Sequence, residues 1–204
     1  MRTIKIIEHI SLDGVIQAPG GPDEDPEGGF GHGGWAFPHF DPAIGEAIDA
    51  AQGEGFDLLL GRRTYDIFAS YWPHQQGPMA DCLNSARKYV ATHRPDSLEW
   101  GPAESLGADL IDGIGRIKAA PGPDLIVWGS SSLTPLLIEQ GLADEVLLLV
   151  FPVLLGTGKR LFSDKVAPSE LALVSTKTAA SGVIISTYKP AGALRTGSFA
   201  GAPE

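Results

Sequence analysis

The chain has 204 residues, a formal net charge of −10 at pH 7 and one cysteine, Cys82. This length fits a single domain with a substantial core, and the acidic charge argues against nucleic acid or an anionic membrane surface as a partner. One cysteine excludes an intrachain disulfide and a cysteine-based zinc site, and we assign no metal to the chain. Because no apolar run approaches the roughly 20 residues that span a bilayer and the first residues lack a signal-peptide pattern, the expected location is the cytoplasm.

The first quarter of the chain predicts a strand, a long loop and a helix. Residues 3–10 form an isoleucine-rich strand that ends in a Ser-Leu-Asp-Gly motif at 11–14. The glycine-rich loop over 18–34 carries four acidic residues, and a loop of this length is typical of a mobile lid or of disorder. An Asp-Pro pair at 41–42 then opens a helix that runs to about residue 52 with one apolar face.

Two arginines follow at a point where a buried strand runs into a helix. Residues 56–61 predict the strand, and Thr64 is a predicted N-cap for a helix over 65–70. Orphan backbone N–H groups, the helix dipole and the guanidinium groups of Arg62 and Arg63 would converge there. This arrangement favours a phosphate-bearing ligand, and solvated charges at a strand end are the alternative.

A second turn of the same kind follows the strand predicted over 125–128. Gly129 allows the backbone to approach a ligand closely, and the serines at 130–132 can cap a helix and donate to phosphate oxygens. A single turn of this type is mostly structural. Two of them suit a dinucleotide better than either does alone.

The remaining elements complete an alternating pattern. Their near-continuous apolar strands are typical of a mostly parallel sheet covered on both faces, so the prediction is a three-layer α/β domain over 1–190 and a disordered tail over 191–204. Further strands are predicted over 88–92 and 145–151, further helices over 80–87, 106–117 and 133–140, and an antiparallel hairpin over 171–178 and 183–188.

These motifs in this order resemble the dihydrofolate reductase-like family, in the branch typified by the reductase domain of riboflavin biosynthesis. The resemblance covers about residues 1–190 and implies a dihydrofolate reductase-like fold, NADPH as cofactor and a homodimer. One departure is Trp128, which stands where the family often has the first of two adjacent glycines. The matching segments are 11–14, 60–65, 127–131 and 141–158, with a last match near 161–162.

The resemblance also implies positions for the cofactor. The two arginines and Thr64 match positions that hold the phosphates of NADPH, with Arg62 near the 2′-phosphate. The turn at 129–131 matches the pyrophosphate turn, and the glycine turn at 155–158 reads as a structural turn with a supporting role near the nicotinamide. The implied cofactor-binding residues are Arg62, Arg63, Thr64, Thr92, Gly129, Ser130, Ser131 and Gly156.

Reduction by hydride also requires a proton, for which Asp13 and Asp41 are the candidates. Asp13 lies in the motif after the first strand, and its alternative role is that of a turn residue that bonds local backbone. Asp41 loosely echoes the acid of dihydrofolate reductases, and its alternative role is that of an N-cap before Pro42. Trp35 and Phe37 could stack on a planar heterocyclic substrate or anchor the end of the loop.

The predicted function is NADPH-dependent reduction of a small polar substrate, pterin-like or pyrimidine-like. A non-catalytic nucleotide-binding protein that retains the cofactor cleft is the alternative, and a structural dimer with a vestigial cleft is a third possibility. The loop over 18–34 is expected to be mobile without ligand and to gain protection from hydrogen exchange on binding. Its four acids are expected to point away from the cofactor phosphates.

Overall fold

Apolar runs bounded by turns form the strands of one central sheet. The computed structural model describes residues 1–162 and 167–198. Its strands are β1 (Ile4–Ser11), β2 (Phe56–Gly61), β3 (Lys88–Ala91), β4 (Ala103–Ser105), β5 (Asp124–Trp128), β6 (Glu145–Phe151), β7 (Ser169–Thr178) and β8 (Ile184–Ala193). Its α-helices are α1 (Pro42–Gln52), α2 (Arg62–Tyr71), α3 (Pro78–Ser85), α4 (Leu110–Ala119) and α5 (Leu133–Glu139). None of these helices is long and apolar enough to cross a membrane.

The eight strands of the described residues lie in the order β4-β3-β2-β5-β1-β6-β8-β7. All neighbours from β4 to β6 are parallel, whereas β8 is antiparallel to both β6 and β7. The predicted mostly parallel sheet with an antiparallel C-terminal hairpin is therefore confirmed.

Side-chain alternation along the strands builds one core on each face of the sheet. Leu58 and Leu60 belong to one core, which includes Ile44 of α1 and Leu83 of α3. Leu59 points to the opposite core, which is completed by Ile114 of α4 and by Leu133 and Leu137 of α5. The fold therefore has three layers, with helices on both faces of the sheet.

Helix α2 begins earlier than the sequence predicts. It starts at Arg62, with the extended residue Gly61 as N-cap (φ −69°, ψ 152°). Thr64 is therefore not the cap and lies inside the first turn. Strand and helix join with no intervening loop, so both arginines belong to the N-terminal turn of α2.

Two further boundaries differ from the sequence prediction. The sequence predicts a helix over 106–117, but α4 begins only at Leu110. Asp109 caps it by accepting a hydrogen bond from the Asp112 N–H (3.0 Å). The short strand β4 lies before residues 106–109. The hairpin is longer than predicted, and β8 runs to Ala193 because Ser169 of β7 pairs with it. Residues 191–193 are thus strand, and the predicted tail over 199–204 lies outside the described residues.

Helix α4 offers a matched pair of glycines for a stability test. A Cβ atom on the buried Gly113 would lie 2.3 Å from the Leu106 carbonyl oxygen, whereas one on the exposed Gly115 would meet nothing within 4 Å. Gly113→Ala is expected to lower the free energy of unfolding by about 1–3 kcal/mol through overpacking. Gly115→Ala is expected to raise it by about 0.5–1 kcal/mol through helix propensity. Urea unfolding followed by circular dichroism measures both, and equal effects would contradict the packing.

Candidate active site

A cavity opens where β1 and β5 separate. The two strands pair as far as Ile7 and Trp128, where β5 ends while β1 continues to Ser11. The cavity has a volume of about 320 Å³, and Glu8 and His9 lie along its lining. Crevices at the carboxyl ends of parallel strands are the usual ligand sites of open α/β sheets.

The cavity has two chemically different walls. Polar backbone and hydroxyl groups of Thr64 and of the turn at 129–131 form one wall, close to the N-terminus of α2. Apolar side chains of α1, α2, α3 and the turn after α2 form the other. These apolar residues are Ile48, Ile67, Phe68, Trp72, Met79 and Leu83.

The two turns predicted to bind phosphate touch each other. A Cβ atom on Gly61 would lie 2.3 Å from Ser130 Oγ, and one on Gly129 would lie 3.7 Å from Thr64 Oγ1. Ser130 adopts a positive φ of 79°, which is uncommon for a residue other than glycine, and its hydroxyl accepts a hydrogen bond from the Leu133 N–H (3.1 Å). The turns form one continuous polar surface at the ends of β2 and β5.

A second cavity of about 400 Å³ lies beyond this surface, towards β3. Arg63 borders both cavities, while Arg62, Thr92, His93 and Arg94 border only the second. Seven of the eight predicted cofactor residues therefore line one or both cavities. Gly156 lines neither of them. Its N–H group donates to the Asp13 carboxylate (2.8 Å), which also lies outside both cavities.

The N–H groups of Arg62 already have acceptors within the protein. Its Nε donates to Asp66 (2.8 Å), and Nη1 donates to Thr92 Oγ1 (3.3 Å) and to the Arg94 carbonyl (2.9 Å). Its Nη2 donates to the Ser97 carbonyl (3.2 Å). Arg62 thus holds the segment after β3 in place, whereas the side chain of Arg94 is 64% exposed at the same cavity.

The acidic loop is turned inward, so the prediction that its acids point away from the cavity is wrong for Asp25 and Glu24. Asp25, whose side chain is only 7% exposed, accepts from Arg63 (2.5 Å) and from Lys159 (2.6 Å). Burial alone would raise the pKa of Asp25, but the hydrogen bond from Lys159 and the two cations hold it below its usual value. Glu24 accepts from the N–H groups of residues 20 and 21. The cations Arg63 and Lys159, which the prediction did not include, hold Asp25 in this inward position.

Removing the Asp25 carboxylate is expected to loosen this loop. Asp25→Ala removes the buried acceptor that Arg63 and Lys159 share and leaves them only the exposed Glu27, so it should cost about 1–3 kcal/mol of local stability. Hydrogen exchange across 18–34 should accelerate by the corresponding factor. Asp23→Ala, at an exposed position of the same loop, is the control and should change little. Equal exchange in both variants and the parent would contradict the inward anchoring. Whether the loop gains protection on ligand binding stays a prediction.

Neither predicted proton donor lines the cavity. Asp13 accepts from Ser11 Oγ (2.6 Å) and from the Leu155 N–H (3.1 Å) in addition to Gly156, and the Ser11 bond, with these backbone bonds, lowers its pKa to about 2. Asp41 caps α1 by accepting from the Ala43 N–H (2.9 Å). Asp41 therefore performs the capping role that the sequence left open as an alternative, whereas Asp13 binds Ser11 and the distant backbone of residues 155 and 156 instead of the backbone of its own turn.

The two predicted stacking residues also lie outside both cavities. Trp35 is buried, donates from Nε1 to the Gln17 carbonyl (2.7 Å) and packs edge-on against Phe151. Phe37 is 78% exposed. Trp35 thus anchors the end of the loop, which was the alternative.

Sequence reasoning missed Glu8 and His9, which are consecutive on β1, with Glu8 towards Thr134 of α5 on one face of the sheet and His9 towards Phe151 on the other. Burial raises the pKa of Glu8 to about 8 and lowers the pKa of His9 to about 4, so both favour the neutral form. The His9 ring stacks between Trp128 and Phe151, at centroid distances of 6.0 and 5.6 Å. The available signal was two adjacent titratable residues inside an otherwise isoleucine-rich strand.

Trp128 presents an unused donor at this site. Its indole Nε1 is buried and has no hydrogen-bond partner among the described residues, although the ring lines the cavity. A buried donor without an acceptor is costly, and such groups are uncommon in folded proteins. Because Nε1 itself is buried, a ligand oxygen or ring nitrogen would reach this donor only if the indole ring moved.

The sheet order and the cavity define a dihydrofolate reductase-like fold. The chain belongs to the RibD C-terminal domain family, whose model matches residues 2–185. It is also 31% identical to the protein YyaP of Bacillus subtilis strain 168 over 136 residues, which are 64% of this chain and 72% of YyaP. Family membership supports a function of the reductase type.

Solved structures share this fold at low sequence identity. A putative riboflavin biosynthesis protein from Shewanella sp. PV-4 has a TM-score of 0.64 at 20% identity, covering 93% of this chain and 99% of that one. A pyrimidine reductase-like protein from Corynebacterium diphtheriae has a TM-score of 0.64 at 13% identity, covering 93% and 92%. Dihydrofolate reductase from Enterococcus faecalis, complexed with NADP(H) and RAB-propyl, has a TM-score of 0.59 at 14% identity, covering 92% and 96%.

Proposed function

We propose that this protein is an NADPH-dependent reductase that transfers hydride to a small polar heterocycle of the pterin or pyrimidine type. The observation that carries the proposal is the two-walled cavity at the split between β1 and β5. Its polar wall suits the phosphates of a dinucleotide, and its apolar wall suits a planar ring. The Corynebacterium and Enterococcus structures, a pyrimidine reductase-like protein and a dihydrofolate reductase with NADP(H), support the same reaction class.

The polar wall fits the phosphates of the cofactor. The N-terminal turn of α2, which contains Thr64, lies against the turn at 129–131, so its free backbone N–H groups and the positive end of its dipole can serve a phosphate there. Gly61 and Gly129 leave room for close approach, and the hydroxyls of Ser130 and Ser131 can donate to phosphate oxygens. When bound, the cofactor would supply the hydride, and the protein would supply orientation and a water-poor cavity.

The apolar wall and Trp128 fit the substrate. Side chains such as Phe68 and Trp72 can cover the faces of a flat ring, and the free indole N–H of Trp128 can, after a movement of its ring, donate to a ring carbonyl or nitrogen. Trp128 also replaces a glycine that the family often has. We therefore expect a substrate with an acceptor at its edge.

We propose a cytoplasmic homodimer, with the hairpin of β7 and β8 at the interface. The single cysteine suits a reducing compartment. Val183 and Ile185, beside and within β8, are buried in the protomer core. Leu173 and Val174 on the edge strand β7 are each 54% exposed, so they are the residues that we expect to contact the second protomer.

A non-catalytic nucleotide-binding protein is the second candidate, favoured by the positions of Asp13 and Asp41 outside the cavity. Incubation with NADPH and a panel of dihydropterins, dihydrofolate and aminopyrimidinediones separates the two. The reductase proposal expects NADPH oxidation that depends on at least one panel compound, with the reduced product identified by mass spectrometry. NADPH binding without oxidation by any compound would favour the second candidate.

A further inference from the structure

Glu8 places a carboxyl group where it serves no structural role in the fold. It belongs to the central strand β1, is only 2% exposed and lines the cavity at the point where β5 has ended. It forms no ion pair within the described ranges 1–162 and 167–198. A buried carboxyl without a cation is stable only in its neutral form.

The surroundings of Glu8 suit a protonated carboxyl. The Thr134 hydroxyl lies 2.7 Å from the Gly129 carbonyl and 3.1 Å from Glu8 Oε1. A hydroxyl has one hydrogen, which the shorter contact to the carbonyl uses. A protonated Glu8 satisfies the second contact by donating its own O–H to Thr134 Oγ1. Burial raises the pKa of Glu8 to about 8, and it outweighs the lowering that a hydrogen bond donated by Thr134 would cause.

The other groups that face the cavity are less suited to donate a proton. His9 is neutral at pH 7, because burial lowers its pKa to about 4. Asp25 shares the cations Arg63 and Lys159, which stabilise it as a carboxylate. On the neighbouring strand β6, Glu8 pairs with the apolar Leu148. The remaining titratable group of the cavity lining is Glu24, which is bound to the backbone of its own loop.

We propose that Glu8 is the catalytic acid that protonates the substrate in the reduction. This inference rests on the proposed function. The substrate carbon of a C=N bond gains the hydride that reduced nicotinamide supplies, and the π electron pair of that bond moves to nitrogen. The nitrogen takes the proton from the Glu8 O–H bond, which leaves a Glu8 carboxylate, a saturated C–N bond and oxidised nicotinamide. Water returns a proton to Glu8 before the next turnover.

The test compares the wild type with Glu8→Gln, which keeps the size and neutrality of the side chain but removes its transferable proton. Glu46→Gln, at an exposed carboxylate of α1 that pairs with Lys177, is the matched control. Single-turnover hydride transfer at pH 7, with the panel compound that the wild type reduces, should slow by at least about 100-fold in Glu8→Gln only. NADPH affinity should stay within about threefold of the wild type, which corresponds to a change in binding free energy of at most about 0.7 kcal/mol.

The pH profile provides a readout that a structural role would not change. Wild-type transfer should be constant below about pH 7 and fall about tenfold per unit above pH 8, because only the protonated acid is active. Glu8→Gln should lack this decline. Carboxyl ¹³C NMR of the ligand-free protein should show Glu8 titrating near pH 8, independently of any substrate.

The outcomes separate the two proposals. If the wild type oxidises NADPH but Glu8→Gln transfers hydride at an unchanged rate, the role of Glu8 is overturned and the reductase stands. A parallel loss of NADPH affinity would place Glu8 in cofactor binding and would also overturn it. A Glu8 signal that is ionised at pH 6 overturns it without any activity measurement. If the wild type reduces no panel compound, the proposed function fails, and with it the role of Glu8.

Discussion

NADPH affinity is expected to fall by at least about tenfold when Gly61 is replaced by alanine. The added Cβ would lie 2.3 Å from Ser130 Oγ and 3.1 Å from Ser130 Cβ, so it would push apart the two turns after β2 and β5. In the proposed function these turns act together on one dinucleotide, so a small shift would disturb several charge-assisted hydrogen bonds, each worth about 1.5–3 kcal/mol. Calorimetric titration with NADPH measures the loss.

A second substitution tests whether contact between the turns is the cause. Ser130→Gly removes both clashing atoms, and glycine adopts the positive φ of 79° at this position without strain. Gly61→Ala combined with Ser130→Gly should therefore bind NADPH more tightly than Gly61→Ala alone, a coupling that a double-mutant cycle measures. Gly55→Ala, where nothing lies within 4 Å, is the control. If the two effects simply add, the turns do not act through this contact.

Arg94→Ala is expected to weaken NADPH binding about tenfold and to leave NADH binding almost unchanged. Arg94 borders the second cavity beside His93, and among the described residues its guanidinium is tied only to Asp66 (3.1 Å), whereas the half-exposed guanidinium of Arg63 is bound to Asp25. It can therefore turn to the 2′-phosphate that NADPH has and NADH lacks. One charge-assisted hydrogen bond of about 1.5–3 kcal/mol corresponds to about tenfold or more.

Arg62→Ala should behave differently, and this revises the expectation drawn from the sequence. Because Arg62 holds the Thr92 hydroxyl and the carbonyls of residues 94 and 97, its loss releases the whole segment after β3. Both cofactors should then bind more weakly by similar factors. If Arg62→Ala instead impairs NADPH alone while Arg94→Ala impairs neither, Arg62 is the residue at the 2′-phosphate.

Local patterns were sufficient to predict the parts of this protein that local interactions determine. The strand at 56–61 and the existence of a helix after it, the turn at Gly129 and the closing hairpin all follow from apolar runs interrupted by glycine or serine, although the helix begins at Arg62 and not after Thr64. The mostly parallel sheet follows from their alternation. The site at the carboxyl ends of β2 and β5 was predictable for the same reason.

Residue roles that depend on distant partners were not predictable. Asp25 turns inward because Lys159, 134 positions away in sequence, lies beside it. Glu8 borders a cavity because β5 ends one register position earlier, which no pattern within β1 shows. Asp13 lies in a motif that is typical of an active site, yet its carboxylate oxygens accept hydrogen bonds from the N–H groups of residues 155 and 156. Sequence patterns identify the surface on which such groups lie, and tertiary pairing decides which of them are available.

The most direct test of a dinucleotide site in this cleft is equilibrium titration of the wild-type protein with NADPH and with NADH. The structure predicts saturable NADPH binding with a dissociation constant in the micromolar range or below, and NADH binding at least about tenfold weaker. Substrate-free binding is the sharper test, because it requires only the turns at 61–64 and 129–131 and the basic residues beside them. Absence of saturable binding of either dinucleotide up to about 1 mM would contradict the account and leave the cleft without a cofactor.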